Sequence, residues 1–198
     1  MMEESRIIEI LREKNTEKRF IHSMGVKYMC AALAMKYGYD VDKACICGLL
    51  HDNAKHFSDE KLLSKCKKYN LEITEAELKA PYLLHGKVGA YIAAEKFGVE
   101  DEEILDAITY HTTGRPDMTL IGKILFLADY IEPSRRVVPG LDKVRKLAFE
   151  DIDLAVYEKL RSVTDYLEDS KDIIDDLTMQ TKDYYEKLLA GENKINAI

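Results

Sequence analysis

Leu120-Ile-Gly-Lys-Ile-Leu-Phe-Leu-Ala-Asp-Tyr-Ile131 is the stretch that decides how the rest of the chain is read. It is a strongly apolar helix that Pro133 stops, because proline cannot continue the hydrogen-bond ladder. It falls well short of the roughly 20 apolar residues that a membrane span needs. Asp129 interrupts the apolar run, with Tyr130 and Ile131 on its far side. A carboxylate buried there costs roughly several kcal/mol unless a cation or donors compensate it. A metal ion is one such cation, and an arginine is another.

Outward from this run in both directions, helical periodicity continues and period-2 alternation is scarce. A short helix is expected at about 3–14, then a second from Thr16 to Gly38 whose inward face carries His22, Val26, Met29, Cys30 and Leu33. Asp40 reads as the N-cap of a helix over about 41–55 that carries His51 and Asp52. Ser58 and Asp59 restart the chain into a helix over 59–69, and Thr74-x-x-Glu77 is a capping-box pattern. Pro81 and Gly86 bracket a loop before a helix over about 86–97, which Gly98 closes. Asp101-Glu102-Glu103 places negative charge at the next helix start, and His111 to Pro116 is a loop. After the loop 133–140, two or three helices fill 142–190. The expectation is an all-α chain folded as one domain, with a core over about 16–131 and a C-terminal helical extension.

Of 198 residues, 46% are hydrophobic and 33% charged, the balance of an ordinary soluble globular protein. The net charge of −7 argues against broad nucleic-acid binding, which needs a basic face. A small phosphate ligand stays open, since a few local cations can reverse the field inside one pocket. Cys30, Cys45, Cys47 and Cys66 include no C-x-x-C pair, and the first three sit among apolar residues as reduced, buried side chains. The opening MMEESRIIEI has early acids and no long apolar run, so it does not read as a signal peptide. A cytoplasmic location is expected, with no membrane partner.

The five histidines are His22, His51, His56, His85 and His111. Taken alone, an inward histidine such as His22 can be a hydrogen-bonded core residue, and Asp129 can pair with an arginine. Taken together, His22, His51-Asp52, His85, His111 and Asp129 fall at helix ends or on buried helix faces in one ordered series. Imidazole with carboxylate is the donor mixture suited to iron, manganese, cobalt or zinc.

That series, H…HD…H…H…D, resembles the HD superfamily of metal-dependent phosphohydrolases. Four local strings narrow it: Gly48-Leu-Leu-His-Asp-Asn-Ala-Lys55, Leu84-His-Gly86, Tyr110-His-Thr-Thr-Gly-Arg115 and Phe126-Leu-Ala-Asp-Tyr-Ile-Glu-Pro133. Together they resemble the YqeK group of bacterial HD proteins, the symmetrical diadenosine tetraphosphate hydrolases, over roughly residues 16–180.

The resemblance implies an HD-type helical bundle and an acid-anhydride hydrolase that cleaves diadenosine tetraphosphate to two ADP. It implies a metal held by His22, His51, Asp52 and Asp129, with iron indicated and manganese or cobalt compatible with the donors. One metal is favoured. His85 and His111 face phosphate in that case and bind a second metal in the alternative. Asp52 also holds or deprotonates the attacking water, and Lys55 neutralises polyphosphate. Arg135 clamps phosphate, with Arg136 as its competitor, and Thr112 donates a hydroxyl. His22 and Asp129 border the substrate as well. His56, Phe57 and Ser58 line the nucleotide end, and Asp175, Asp176, Leu177, Thr178, Met179 and Gln180 close over the base, with Thr178 and Gln180 reading its polar edge. Arg115 shapes its loop. ADP or GDP is the expected product-like ligand, and a homodimer is compatible with the resemblance. The alternatives are another nucleotide phosphohydrolase or nucleotidase on the same scaffold, or a nucleotide-binding module without catalysis.

Overall fold

The computed structural model describes residues 1–136 and 138–191. Among these residues the chain is helical and holds no strand. In order, the helices are α1 Glu4–Lys14, α2 Glu17–Tyr37, α3 Val41–Leu50, α4 Asp59–Tyr69, α5 Glu75–Lys79, a 3-10 turn Pro81–Leu84, α6 His85–Phe97, α7 Glu102–Tyr110, α8 Leu120–Ile131, α9 Leu141–Leu147, α10 Ile152–Ser170 and α11 Asp176–Gly191. No helix among the described residues is long and apolar enough to cross a membrane.

The apolar run is the central helix. α8 packs against α2, α3, α7, α9 and α10, and Ile124 to Ala128 are all buried. A helix packed against five others needs apolar residues around most of its circumference, which is why Leu120–Ile131 carries so few polar side chains. α2 lies along α3, α6 along α7, and α10 joins α11 to this core. The helix starts follow the expected capping chemistry. Thr16, Asp40, Ser58, Asp101 and Thr119 each accept a first-turn N–H, and Thr74 with Glu77 forms the reciprocal capping box.

Two expected boundaries are corrected. The helix read as 41–55 stops at Leu50, and residues 51–56 form successive tight turns. His51 Nδ1–H donates to Gly48 O at 2.7 Å, and Asn53 Nδ2 donates to Leu50 O at 2.7 Å and Gly89 O at 2.9 Å. Side chains thus take the carbonyls that the helix ladder would have used, and the backbone closes i to i+3 instead. The segment read as a loop between Pro81 and Gly86 holds a 3-10 turn that runs straight into α6.

Two glycines bring the helices close enough to form the site. A Cβ on Gly48 would lie 2.8 Å from Lys27 Cα, so α3 approaches the α2 backbone directly. A Cβ on Gly86 would lie 2.4 Å from Thr109 O, a backbone atom of α7 that cannot move aside alone. Gly86 follows His85, and Thr109 stands two residues before His111, so this contact fixes the spacing of both imidazoles. Gly86→Ala is expected to destabilise the protein by about 2–3 kcal/mol through overpacking, read from urea unfolding. A midpoint equal to that of the unaltered protein would show that the two backbones separate freely.

Candidate metal centre

The structure brings six side chains from five places in the sequence to one point. His22 comes from α2, His51 and Asp52 from the turn after α3, His85 from the start of α6, His111 from the end of α7, and Asp129 from α8. His51, His85 and His111 are buried, and His22, Asp52 and Asp129 are half-buried.

Ring orientation follows from backbone carbonyls. His51 donates through Nδ1 to Gly48 O, His85 to Tyr82 O and His111 to Ile108 O, each three residues earlier. His22 Nδ1 lies 2.9 Å from Glu132 Oε1. With Nδ1–H committed outward, all four rings turn Nε2 toward the common centre. A set of imidazole Nε2 atoms facing two carboxylates suits a divalent cation.

The spacing tests that fit. Donors about 2.0–2.2 Å from one ion stand roughly 3.0–3.5 Å from their neighbours. His22 Nε2 is 3.0 Å from Asp129 Oδ1 and 3.3 Å from His51 Nε2. His51 Nε2 is 3.6 Å from Asp129 Oδ1 and 3.5 Å from Asp52 Oδ2, and His22 Nε2 is 3.9 Å from Asp52 Oδ2. On the other side, Asp52 Oδ1 is 3.2 Å from His85 Nε2 and 3.5 Å from His111 Nε2, while those two nitrogens are 3.0 Å apart. Two overlapping donor groups result, His22 with His51 and Asp129, and His51 with Asp52 and His111. Asp52 faces both, one oxygen to each.

Electrostatics keep these donors in the form a metal needs. Burial pushes the Asp52 carboxyl up, but His51, His111 and His85 outweigh it and hold it well below the ordinary carboxylate range. Burial also works against Asp129, and His22, Arg135 and His51 overcome it in the same way. Burial lowers His51 to about 4, so its ring is neutral at ordinary pH. His22 moves the other way. Burial lowers it, but Asp129 and Glu132 more than compensate and hold its proton.

Lys55 reaches the centre by way of the turn, not along a helix as expected. Its Nζ is 3.1 Å from His85 Nε2, and burial lowers its pKa. Arg135 donates through Nη2 to Asp129 Oδ1 at 2.6 Å and through Nε to Asp129 O at 2.7 Å, while Arg136 is exposed. Thr112 Oγ1 is 3.4 Å from both His85 Nε2 and His111 Nε2. Arg115 binds Asp106 and the Pro116 carbonyl, so it braces its loop.

The more distant residues divide. His56 lies against Phe57 with ring centroids 4.1 Å apart and the planes tilted by 46°, and its buried Nδ1 has no hydrogen-bond partner among the described residues. Ser58 is exposed, and its hydroxyl caps α4 through Lys61 N. Asp175, Asp176, Leu177 and Gln180 share a cavity of about 480 Å³ with Thr112 and Lys87, which carries the C-terminal segment to the His111 end of the centre. Thr178 is buried in the packing of α11, and Met179 is half-buried.

Three residues at the centre were not singled out in the sequence. Glu132 is 1% exposed and holds His22, and it was visible within the Leu127-Ala-Asp-Tyr-Ile-Glu-Pro133 string. Asn53 ties the 51–56 turns to α6. Lys159 occupies an inward position of the Ile152, Ala155, Val156, Leu160 stripe, where a lysine is itself the signal. Its Nζ donates to Phe126 O at 2.6 Å and sits 3.3 Å from the Phe126 ring centre, and burial pulls it down to about 7.

A carboxylate behind a ligating imidazole fixes the ring and raises its basicity. Glu132→Gln is therefore expected to weaken metal affinity by about 10–100-fold, measured by competition with a chelator. Unchanged affinity would mean that His22 keeps its orientation without this partner.

An all-helical fold in which imidazoles and carboxylates converge from separate helices is the arrangement of an HD-type scaffold, with a donor set suited to a divalent cation. The HD domain family model matches residues 19–134, and the chain belongs to that family. It is 39% identical over 166 residues to a symmetrical bis(5'-nucleosyl)-tetraphosphatase of Bacillus subtilis, covering 84% of this chain and 88% of the relative. A protein of the same name from Staphylococcus aureus is 35% identical over 178 residues, covering 89% and 91%. The fold matches, with a TM-score of 0.91 and 36% identity, a crystal structure from Clostridium acetobutylicum described as a predicted HD superfamily hydrolase involved in NAD metabolism. That match covers 94% of this chain and 98% of the other.

Proposed function

We infer that this chain is a metal-dependent hydrolase that cleaves diadenosine tetraphosphate symmetrically into two ADP. The observation that carries the reading is Asp52, whose two oxygens face two imidazole pairs in a chain so similar to named symmetrical tetraphosphatases.

The residues proposed to hold the metal are His22, His51, Asp52 and Asp129. His51 Nε2 has one lone pair, so one ion can take it. From the family resemblance we favour a single ion there, with His85, His111 and Thr112 turned to phosphate oxygens. A second ion held by Asp52 Oδ1, His85 and His111 is the alternative that the spacing also accommodates. Iron is proposed from the family resemblance, and the nitrogen and oxygen donors suit manganese and cobalt equally. The chemistry such a metal supplies when bound is activation of water and polarisation of a phosphoryl oxygen.

The chain's own groups do the rest. Asp52 orients the attacking water and accepts its proton. Lys55 and Arg135 spread positive charge over the phosphate chain, Lys55 as a point charge and Arg135 through the donors left free of Asp129. The oxygen of water bonds to one of the two middle phosphorus atoms, the central anhydride bond breaks, and the second ADP leaves with the bridging oxygen. His56, Phe57 and Ser58 are proposed at the nucleotide end, and the Asp175–Gln180 segment at a base. The helices after Ile131 are proposed to belong to the same folded unit. ADP or GDP is proposed as a product-like ligand, the cytoplasm as the location, and a homodimer as the assembly.

Product identity tests the reading. Metal-loaded protein given diadenosine tetraphosphate is expected to yield ADP alone, resolved by anion-exchange chromatography. ATP with AMP, or free phosphate, would assign a different bond and a different enzyme.

A further inference from the structure

A tetraphosphate cut at its centre has two identical halves, and the residues assigned above account for one nucleoside only. A second cavity, of about 430 Å³, has in its wall Tyr130, which follows Asp129 in the chain and lies close enough to Arg135 to feel its charge. Its walls are Tyr130 on α8, Pro139 in the 138–140 turn, and Ser162, Asp165, Tyr166 and Asp169 on α10. Tyr130 directly follows Asp129, and the loop that leads to Pro139 is the one from which Arg135 Nη2 reaches Asp129 Oδ1 at 2.6 Å. The first cavity meets the centre at Thr112, beside His85 and His111. The second is lined by Tyr130, the chain neighbour of Asp129. The two cavities share no lining residue, and each falls within the roughly 300–1,000 Å³ that small ligands occupy.

We propose that this second cavity is the subsite for the other nucleoside of the dinucleotide, with the base against Tyr130 and Tyr166 and the sugar or amino groups on Asp165 and Asp169. The proposal rests on the tetraphosphatase reading and goes beyond it.

The chemistry of the walls selects a nucleoside over a phosphate. Asp165 and Asp169 make no ion pair among the described residues, although the charge of Asp165 reaches Arg161, and two carboxylates repel a polyphosphate. As acceptors they suit ribose hydroxyls and the exocyclic amine of adenine. Tyr166 is 68% exposed and Val138, also in the wall, is 41% exposed. An aromatic ring and an aliphatic side chain standing open at the mouth of a cavity provide the flat apolar faces on which a base stacks. Arg135 binds Asp129 and its charge also reaches Tyr130 in the cavity wall, so a cation is at hand for the phosphate chain.

The test compares two ligands that share the phosphates and differ in the second nucleoside: diadenosine tetraphosphate and adenosine 5'-tetraphosphate. The second is taken as a substrate or, where it is not cleaved, as a competitive inhibitor. Tyr166 is exposed, so its truncation leaves the fold intact. In Tyr166→Ala, kcat/KM for the dinucleotide is expected to fall roughly tenfold, mainly through KM, because a base loses its stacking surface. Adenosine tetraphosphate is expected to behave as with the unaltered protein, and Tyr166→Phe to keep most of the dinucleotide efficiency. Asp165→Asn with Asp169→Asn is expected to weaken the dinucleotide alone in the same way. Equal kcat/KM in Tyr166→Ala and the unaltered protein, or equal losses on both ligands, would overturn the subsite and leave the tetraphosphatase reading standing. An unaltered protein that cleaves no dinucleotide removes both.

Discussion

Replacing Asp52 by alanine is expected to lower turnover of diadenosine tetraphosphate on the order of 10³-fold, with the helical fold retained. Asp52 Oδ2 faces His22 and His51, while Oδ1 faces His85 and His111. No other side chain in the centre meets both pairs of imidazoles. Its loss removes one proposed metal ligand and the proposed base for water in a single change. Stabilisation of transition-state charge by a correctly held metal is worth several kcal/mol, and roughly 1.4 kcal/mol is a factor of ten in rate. Asp52 stands in a turn at the edge of the core, so circular dichroism should report the same helix content. Asp52→Asn separates the two roles, because the amide keeps an oxygen ligand but is no base. A turnover near that of the unaltered protein in Asp52→Ala would remove the proposed centre.

How much of this was legible follows from where each signal lies. α8 could be read because an apolar helix with one carboxylate is a strong local pattern, and the same pattern marked Asp129. The N-cap at Asp40 and the capping box of Thr74 could be read because capping is chemistry between residues two or three apart. The end of α3 could not. Asn53 turns the backbone partly by binding Gly89 O, and no local pattern reports a partner 36 residues away. Lys55 reached the expected place for the wrong reason. The proposed helix would have carried it past His51, whereas the turns deliver its amine to His85. Glu132 was quoted within a motif but given no role, since its partner His22 lies 110 residues earlier. Gly86 read as loop punctuation, and its actual function is contact between two backbones. Signals carried by a residue's own neighbours survive in one dimension, and those carried by a packed partner do not.

Exhaustive chelation is expected to abolish turnover, and added metal to restore it with a pH dependence set by His22. Glu132 and Asp129 hold a proton on His22 to a higher pH than an ordinary imidazole near 6.5. That proton and a metal compete for the same Nε2 lone pair, so affinity falls about tenfold per pH unit below the raised pKa and levels off above it. The other proposed ligands do not share this competition. His51 is neutral above about 4, and Asp52 and Asp129 remain ionised far into acid. Below the raised pKa of His22, binding of one ion should therefore release about one proton, measurable in a lightly buffered titration. The metal-free protein shows the opposite sign for His22. Its raised pKa stabilises the fold most fully below the unfolded value of about 6.5, and this contribution is lost as pH rises through the folded pKa. Asp52 and Asp129 contribute stability above the unfolded carboxylate value of about 3.9, lost only as pH falls through their depressed folded values. Chelation should thus leave a folded protein in mild acid whose metal affinity is weak for reasons of protonation alone. Undiminished turnover after chelation, or metal uptake with no proton release, would show that His22 is not a ligand, and its bond to Glu132 would then serve the packing of α2 against α8.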